Sequence, residues 1–122
     1  YAGSFEIPHK GHIAQMKKIK EMGYYLVVAV NGNPFFYKNR GHNPYYSDEV
    51  RAGIIEDSGV PDDVIIVKNM EDQGAALKSI LPDVIVLGMD WIDKPVWERF
   101  TDMVKSYARF DFGAWSTTGT LW

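Results

Sequence analysis

The chain predicts a single α/β domain built on a doubly wound parallel sheet, and three observations carry that prediction. Apolar runs without alternation, such as Tyr25-Leu26-Val27-Val28-Ala29-Val30, suit strands buried on both faces. Between these runs lie stretches whose apolar residues recur at helical spacing. At 122 residues, with 46% hydrophobic and 24% charged content, the chain has room for one core and therefore one principal site.

Each element follows in order. Ile13, Met16 and Ile19 fall on one helical face while Gln15, Lys17, Lys18, Lys20 and Glu21 fall elsewhere, which predicts a helix over 11–22 stopped by Gly23. The Tyr25–Val30 strand comes next. Residues 31–46 are too rich in Asn, Gly and Pro for regular structure and too long for a plain connector, so they read as a functional loop. Ser47 is a candidate N-cap with Asp48 and Glu49 in the first turn. Val50, Ile54 and Ile55 would form the buried stripe of a helix ending at Gly59. Val64–Val67 is a strand. A helix over 72–81 carries Ala76, Leu77, Ile80 and Leu81, and a strand over Val84–Gly88 follows Pro82-Asp83. Val96, Trp97, Phe100, Met103, Val104 and Tyr107 mark another helix, and Tyr107–Phe112 a last strand before Gly113. Strand–helix alternation of this kind is Rossmann-like. It requires the first strand to lie largely before Tyr1, and both ends read as cuts.

Composition narrows the function classes. A net charge of −3 argues against coating nucleic acid. The lack of cysteine excludes disulfides, thiolate zinc clusters and a cysteine nucleophile, and fits a cytoplasmic location. The longest apolar run, Leu26–Val30, is far below the ~20 residues that span a bilayer, so no membrane span is expected.

In open α/β sheets, ligands bind beyond the carboxyl ends of the strands. Three polar clusters fall at such ends: residues 3–12, 31–46 and 88–94. In the first, His9-Lys10-Gly11-His12 sets two imidazoles around a glycine where a loop becomes a helix. A helix start offers unpaired N–H groups and partial positive charge to anions, and the imidazoles add donors for phosphate oxygens. The pattern points to nucleotide chemistry. Alone, such a pair reads first as two solvent-facing histidines, and it is the flanking segments that turn the reading to function. A metal site is a weaker rival, because His42 is the only other histidine and no H-E-x-x-H is present.

Gly3-Ser4-Phe5-Glu6-Ile7-Pro8-His9-Lys10-Gly11-His12 resembles the first signature of the nucleotidyltransferase superfamily, H-x-G-H after a G-[ST]-F segment. Gly88-Met89-Asp90-Trp91 is similar to the G-D-D-W segment of its glycerol-3-phosphate cytidylyltransferase-like branch. Ser116-Thr117-Thr118 is similar to the S-[ST]-T that starts its final helix. Tyr46-Ser47 with Arg51 resembles the opening of the third family segment. Four matches in the right order are far more specific than H-x-G-H alone.

The resemblance implies a single HxGH-type nucleotidyltransferase domain. It would transfer a nucleoside monophosphate from a triphosphate, CTP favoured over ATP, to a phosphorylated small alcohol or sugar, with pyrophosphate leaving. His9, His12, Lys38 and Arg51 would be catalytic. Gly3, Ser4, Phe5, Gly11, Gly88, Asp90, Ser116, Thr117 and Thr118 would join the histidines in holding the nucleotide, and Trp91 and Arg40 would contact the acceptor. Mg²⁺ would be held mainly by the triphosphate, with no metal ligands from the protein. A homodimer is implied, with Phe35, Phe36 and Trp97 as exposed aromatics to serve it. Met89 and Glu6 stand where the branch carries aspartates, Gly59 where it carries a second arginine, and Arg109–Trp115 matches only loosely the run before the serine-threonine segment. These departures bear on nucleobase and acceptor choice. The rivals are an ATP-using adenylyltransferase and a non-catalytic nucleotide-binding or assembly module of the same fold.

Overall fold

A computed structural model describes residues 1–86, 109–111 and 114–116. Three parallel strands form its main sheet in the order β1 (Ala2–Gly3), β2 (Val27–Asn31) and β3 (Asp63–Val67). Ala2 pairs with Ala29, and Ala29 with Ile65. Strand parity sorts the two faces. Val28 and Val30 point to one side, where Phe5, Met16, Ile19, Ala52 and Ile55 complete the core beneath α1 (Lys10–Glu21) and α3 (Asp48–Asp57). Met16 and Ile55 are fully enclosed, each a gain of about 2–3 kcal/mol over exposure. Ala2, Val27, Ala29 and Ile65 face the other side, towards Gln73 and Leu77 of α4 (Met70–Ile80). Helices on both faces make the sheet doubly wound, as the sequence predicts.

Helix ends follow local chemistry. Ser47 caps α3 through its hydroxyl, 3.3 Å from Val50 N, with Asp48 and Glu49 in the first turn as expected. Asp62 accepts from Lys20 Nζ at 2.6 Å and from Leu26 N at 2.7 Å, fastening the end of α1 to the entry of β2.

Several expectations are corrected. Within 31–46 the chain forms a helix, α2 (Asn33–Arg40), begun by Gly32 and Pro34 and ended by Gly41 at φ 79°. Turn-forming residues here mark the two ends of a short helix rather than an irregular loop. Phe35 and Phe36 are 3% and 0% exposed, so they pack inside the chain and offer no surface for a partner. Trp97 lies outside the described residues. On α3 the inward face is Arg51, Ala52 and Ile55, while Val50 and Ile54 are exposed. An arginine occupies the phase that apolar periodicity assigns to a core residue. On α4, Met70, Gln73 and Leu77 turn inward, whereas Ile80 and Leu81 are exposed. Leu81 adopts φ 52° at the C-cap, which ends the helix before Pro82.

The first strand keeps two residues after Tyr1, whose carbonyl accepts from Ala29 N at 2.8 Å. Among the described residues, β4 (Val84–Val86) does not extend the parallel sheet. It pairs antiparallel with β6 (Ala114–Ser116), which pairs with β5 (Arg109–Asp111). Val86 nonetheless joins the main core. The helix expected over Val96–Tyr107 lies outside the described residues. Among the described residues, no helix is long and apolar enough to cross a membrane.

Candidate functional site

A cleft of about 290 Å³ opens beyond the carboxyl end of β1, lined by Gly3, Ser4, Phe5, Glu6, His9, His12 and Arg40 among others. It brings together five of the six site residues expected from residues 3–12, Gly11 being the one that does not line it, and Arg40 from residues 31–46. Its floor is a tight turn. Phe5 is buried at φ 48°, a left-handed conformation costing roughly 1–3 kcal/mol in a residue with a Cβ. Burial and two edge-on ring contacts hold it there, with Tyr1 at 5.2 Å and His12 at 4.9 Å. Gly3 permits this because a Cβ there would lie 3.3 Å from the Phe5 ring.

His9 and His12 are arranged by the backbone that they cap. Gly11 N donates to His9 Nδ1 at 2.9 Å, and His9 N donates to His12 Nδ1 at 3.2 Å, a reciprocal capping box at the start of α1. The rings stack with centroids 3.9 Å apart and planes 23° from parallel. A backbone N–H can only donate, so each Nδ1 is an acceptor and each neutral ring carries its proton on Nε2. Two Nε2–H donors thus stand at a helix N-terminus, the end that carries the partial positive charge of the helix. Gly11 is required by the same geometry, since a Cβ would come within 2.8 Å of His9 Cε1.

Arg40 reaches the cleft from the last turn of α2, with Nη2 3.4 Å from Ser4 Oγ. That hydroxyl also accepts from Asn31 Nδ2 at 3.3 Å, in a residue only 5% exposed. Lys38 departs from expectation. It is exposed on α2 and is not a lining residue of the cleft. Two residues of helix rotate a side chain by about 200°, so Arg40 facing the cleft turns Lys38 away.

Arg51 is the larger correction. Expected to clamp phosphate, it is fully buried, and its guanidinium is occupied by protein acceptors. Nη1 donates to Ser4 O and Asn31 O, both at 2.7 Å, Nη2 to Asn33 Oδ1 at 3.0 Å, and Nε to Tyr46 O at 3.0 Å. Its Cζ lies 5.2 Å from the Phe36 ring centre. Burial pushes its pKa below the ordinary value, while Asp48 and Glu6 oppose that shift. Asn31 and Asn33, which sequence reasoning placed only in a loop, are the partners that make this possible. Asn33 is also bound reciprocally to Asp48: Asp48 N donates to Asn33 Oδ1, and Asn33 N to Asp48 Oδ2, both at 2.9 Å. Nothing short-range in the sequence signals these pairings.

Ser116 is the last residue of strand β6, paired with Val84 and Arg109, where a helix start was expected. Gly88, Asp90, Trp91, Thr117 and Thr118 lie outside the described residues. Among the described residues, no three His, Cys, Asp or Glu side chains are placed to hold a metal ion.

The sequence profile of the cytidylyltransferase-like family matches residues 1–111. A glycerol-3-phosphate cytidylyltransferase of Bacillus subtilis is 36% identical over 92 residues, 75% of this chain and 70% of that protein. An FAD synthase of Pyrococcus horikoshii is 38% identical over 88 residues, 72% of this chain and 60% of the relative. The bifunctional protein HldE of Campylobacter concisus is 33% identical over 121 residues, but the match spans only 25% of it. Among solved structures, the lipopolysaccharide core biosynthesis protein of Thermoplasma volcanium superposes with a TM-score of 0.68 at 28% identity, covering 86% of this chain and 84% of that one. A profile match over most of the chain, together with the H-x-G-H turn at the mouth of a parallel sheet, shows that this chain belongs to the cytidylyltransferase-like family of nucleotidyltransferases.

Proposed function

We propose that the protein transfers a nucleoside monophosphate to a phosphorylated small alcohol or sugar, with CTP preferred to ATP as donor. The observation that carries this reading is the stacked His9–His12 pair, whose Nδ1 atoms are both used by backbone, in a cleft that also holds Arg40 and Ser4. A phosphate oxygen of the acceptor attacks the α-phosphorus in line. One P–O bond forms there, the bond to the bridging oxygen of the β-phosphate breaks, and pyrophosphate leaves with that oxygen.

No protein nucleophile is needed, so the work of the chain is to hold two anions together and to offset charge on the reacting phosphate. His9 and His12 serve this through Nε2–H donors and Arg40 through its guanidinium. Ser4, Gly3, Phe5 and Gly11 shape the backbone against the nucleotide. Glu6 is the one carboxylate among the described cleft residues. That donor set suits a hard cation which arrives with most of its oxygen ligands supplied by triphosphate and water. Mg²⁺ bound in this way neutralises triphosphate charge. Asp90, Trp91, Gly88, Thr117 and Thr118 keep their expected nucleotide and acceptor roles within this reading, as do a homodimeric state and a cytoplasmic location.

The test is pyrophosphate release from CTP or ATP, each paired with glycerol phosphate and a panel of sugar phosphates in the presence of Mg²⁺. The reading expects release with CTP and at least one phosphorylated acceptor. Binding of nucleotide without release from any pair would leave the non-catalytic module instead.

A further inference from the structure

The Arg51 guanidinium grips the cleft from behind. Its Nη1 holds the Ser4 carbonyl, at the end of β1, and the Asn31 carbonyl, at the end of β2. Its Nη2 holds Asn33 in the first turn of α2, the helix that delivers Arg40, and its Nε ties in Tyr46 just before α3. The Ser4 hydroxyl, on the cleft side, meets Arg40 and Asn31. One residue is therefore held by two arginines, Arg51 at its carbonyl and Arg40 at its hydroxyl. From these contacts we infer that Arg51 is a positioning residue, one that acts on the reaction through the placement of Ser4 and Arg40 without touching the nucleotide.

Physical chemistry favours this role over plain stability. Removing a charge from water is costly, and among the described residues Asp48 and Glu6 offset that cost only through space, with no carboxylate bonded to this guanidinium. An aliphatic side chain could fill the space beside the Phe36 ring without bringing a charge out of water, but it would leave the carbonyls that Arg51 binds without this donor. What an aliphatic group cannot do is fix two strand ends and a helix start at once. A planar fork of donors does so at set angles, and a lysine ammonium, a point charge on a flexible stem, does not. Geometry is thus the function, and charge alone is insufficient.

This inference rests on the proposed nucleotidyl transfer, and its test separates the two. Arg51→Lys and Arg51→Met are compared with wild type for thermal stability, for kcat and KM per folded molecule, and for affinity towards inorganic tripolyphosphate by calorimetry. Positioning predicts that Arg51→Lys loses ~10-fold or more in kcat, close to the loss in Arg51→Met, because sub-ångström misplacement of binding groups is costly. It also predicts weaker tripolyphosphate binding in both. A lysine variant with wild-type kcat and tripolyphosphate affinity overturns the inference, whatever its melting temperature. If the Arg51 variants do not fold, Asn33→Ala removes one acceptor at a half-buried position. A several-fold loss of kcat supports positioning and an unchanged kcat overturns it. Should wild-type protein release no pyrophosphate at all, the transferase reading falls, and tripolyphosphate affinity of the same variants decides the role of Arg51.

Discussion

The two polar regions around the cleft are built in opposite ways. The His9–His12 turn is local: its hydrogen bonds span two and three residues, and the rings sit at the surface of a helix start. The Arg51 knot is long-range: its bonds reach across 47, 20 and 18 residues and close in a fully buried centre. In the proposed reading, the first region offers donors to an arriving nucleotide and the second fixes the walls on which such donors stand. Polar residues around this cleft would then divide into groups that meet the ligand and groups that hold those groups still.

Substitutions should separate the regions by what they damage. Arg51→Met takes the donor from the buried Ser4 and Asn31 carbonyls and from Tyr46 O, while Asn33 Oδ1 keeps Asp48 N, and should cost about 3 kcal/mol or more of stability, read as a lower urea midpoint. His12→Ala should do the reverse, cutting turnover by ~10²-fold or more with a stability loss near that of one lost cap, about 1 kcal/mol. Equal stability losses in the two variants would erase the distinction. Gly11→Ala tests the local turn from within, since the added Cβ meets the His9 ring at 2.8 Å. Turnover should fall roughly tenfold as the ring swings off its cap, with KM for the triphosphate rising.

The smallest effect belongs to a contact remote from both regions. The hydrogen bond from Lys20, followed by that from Leu26 N, holds the Asp62 carboxyl below its usual value of 3.8. A depressed carboxylate lends stability above its unfolded pKa and loses it as pH falls through the lower folded value. Urea midpoints of wild type should thus decline more steeply than those of Asp62→Asn below about pH 4. Parallel curves would show that the contact is of no consequence to folding.

The same division explains what could be read in advance. Capping and turn signals act within four residues, so the α1 and α3 starts, the Gly23 and Gly59 stops and the histidine pair were legible from spacing. So were β2 and β3, whose apolar runs need no partner to be recognised. Three features resisted. Among its described side chains α2 buries Phe35 and Phe36, too few for a periodic signal between glycines and prolines. Arg51 occupies a core phase that a hydrophobic pattern reserves for apolar residues, and only its distant carbonyl partners make burial tolerable. β4 pairs with a strand whose residues follow 28 or more positions later, and such pairing is decided by the assembled sheet. Arg40, expected to contact the acceptor, lines the cleft, while Lys38 does not, for a reason of helix rotation that required the bounds of α2.

The most direct measurement is the ¹⁵N imidazole spectrum of a chain with only three histidines, taken before and after adding CTP with Mg²⁺. The account predicts that His9 and His12 are both in the Nε2–H form, and that CTP shifts their Nε2 resonances while leaving those of His42 nearly unchanged. An Nδ1–H tautomer at either residue, or His9 and His12 signals indifferent to saturating nucleotide, would contradict it.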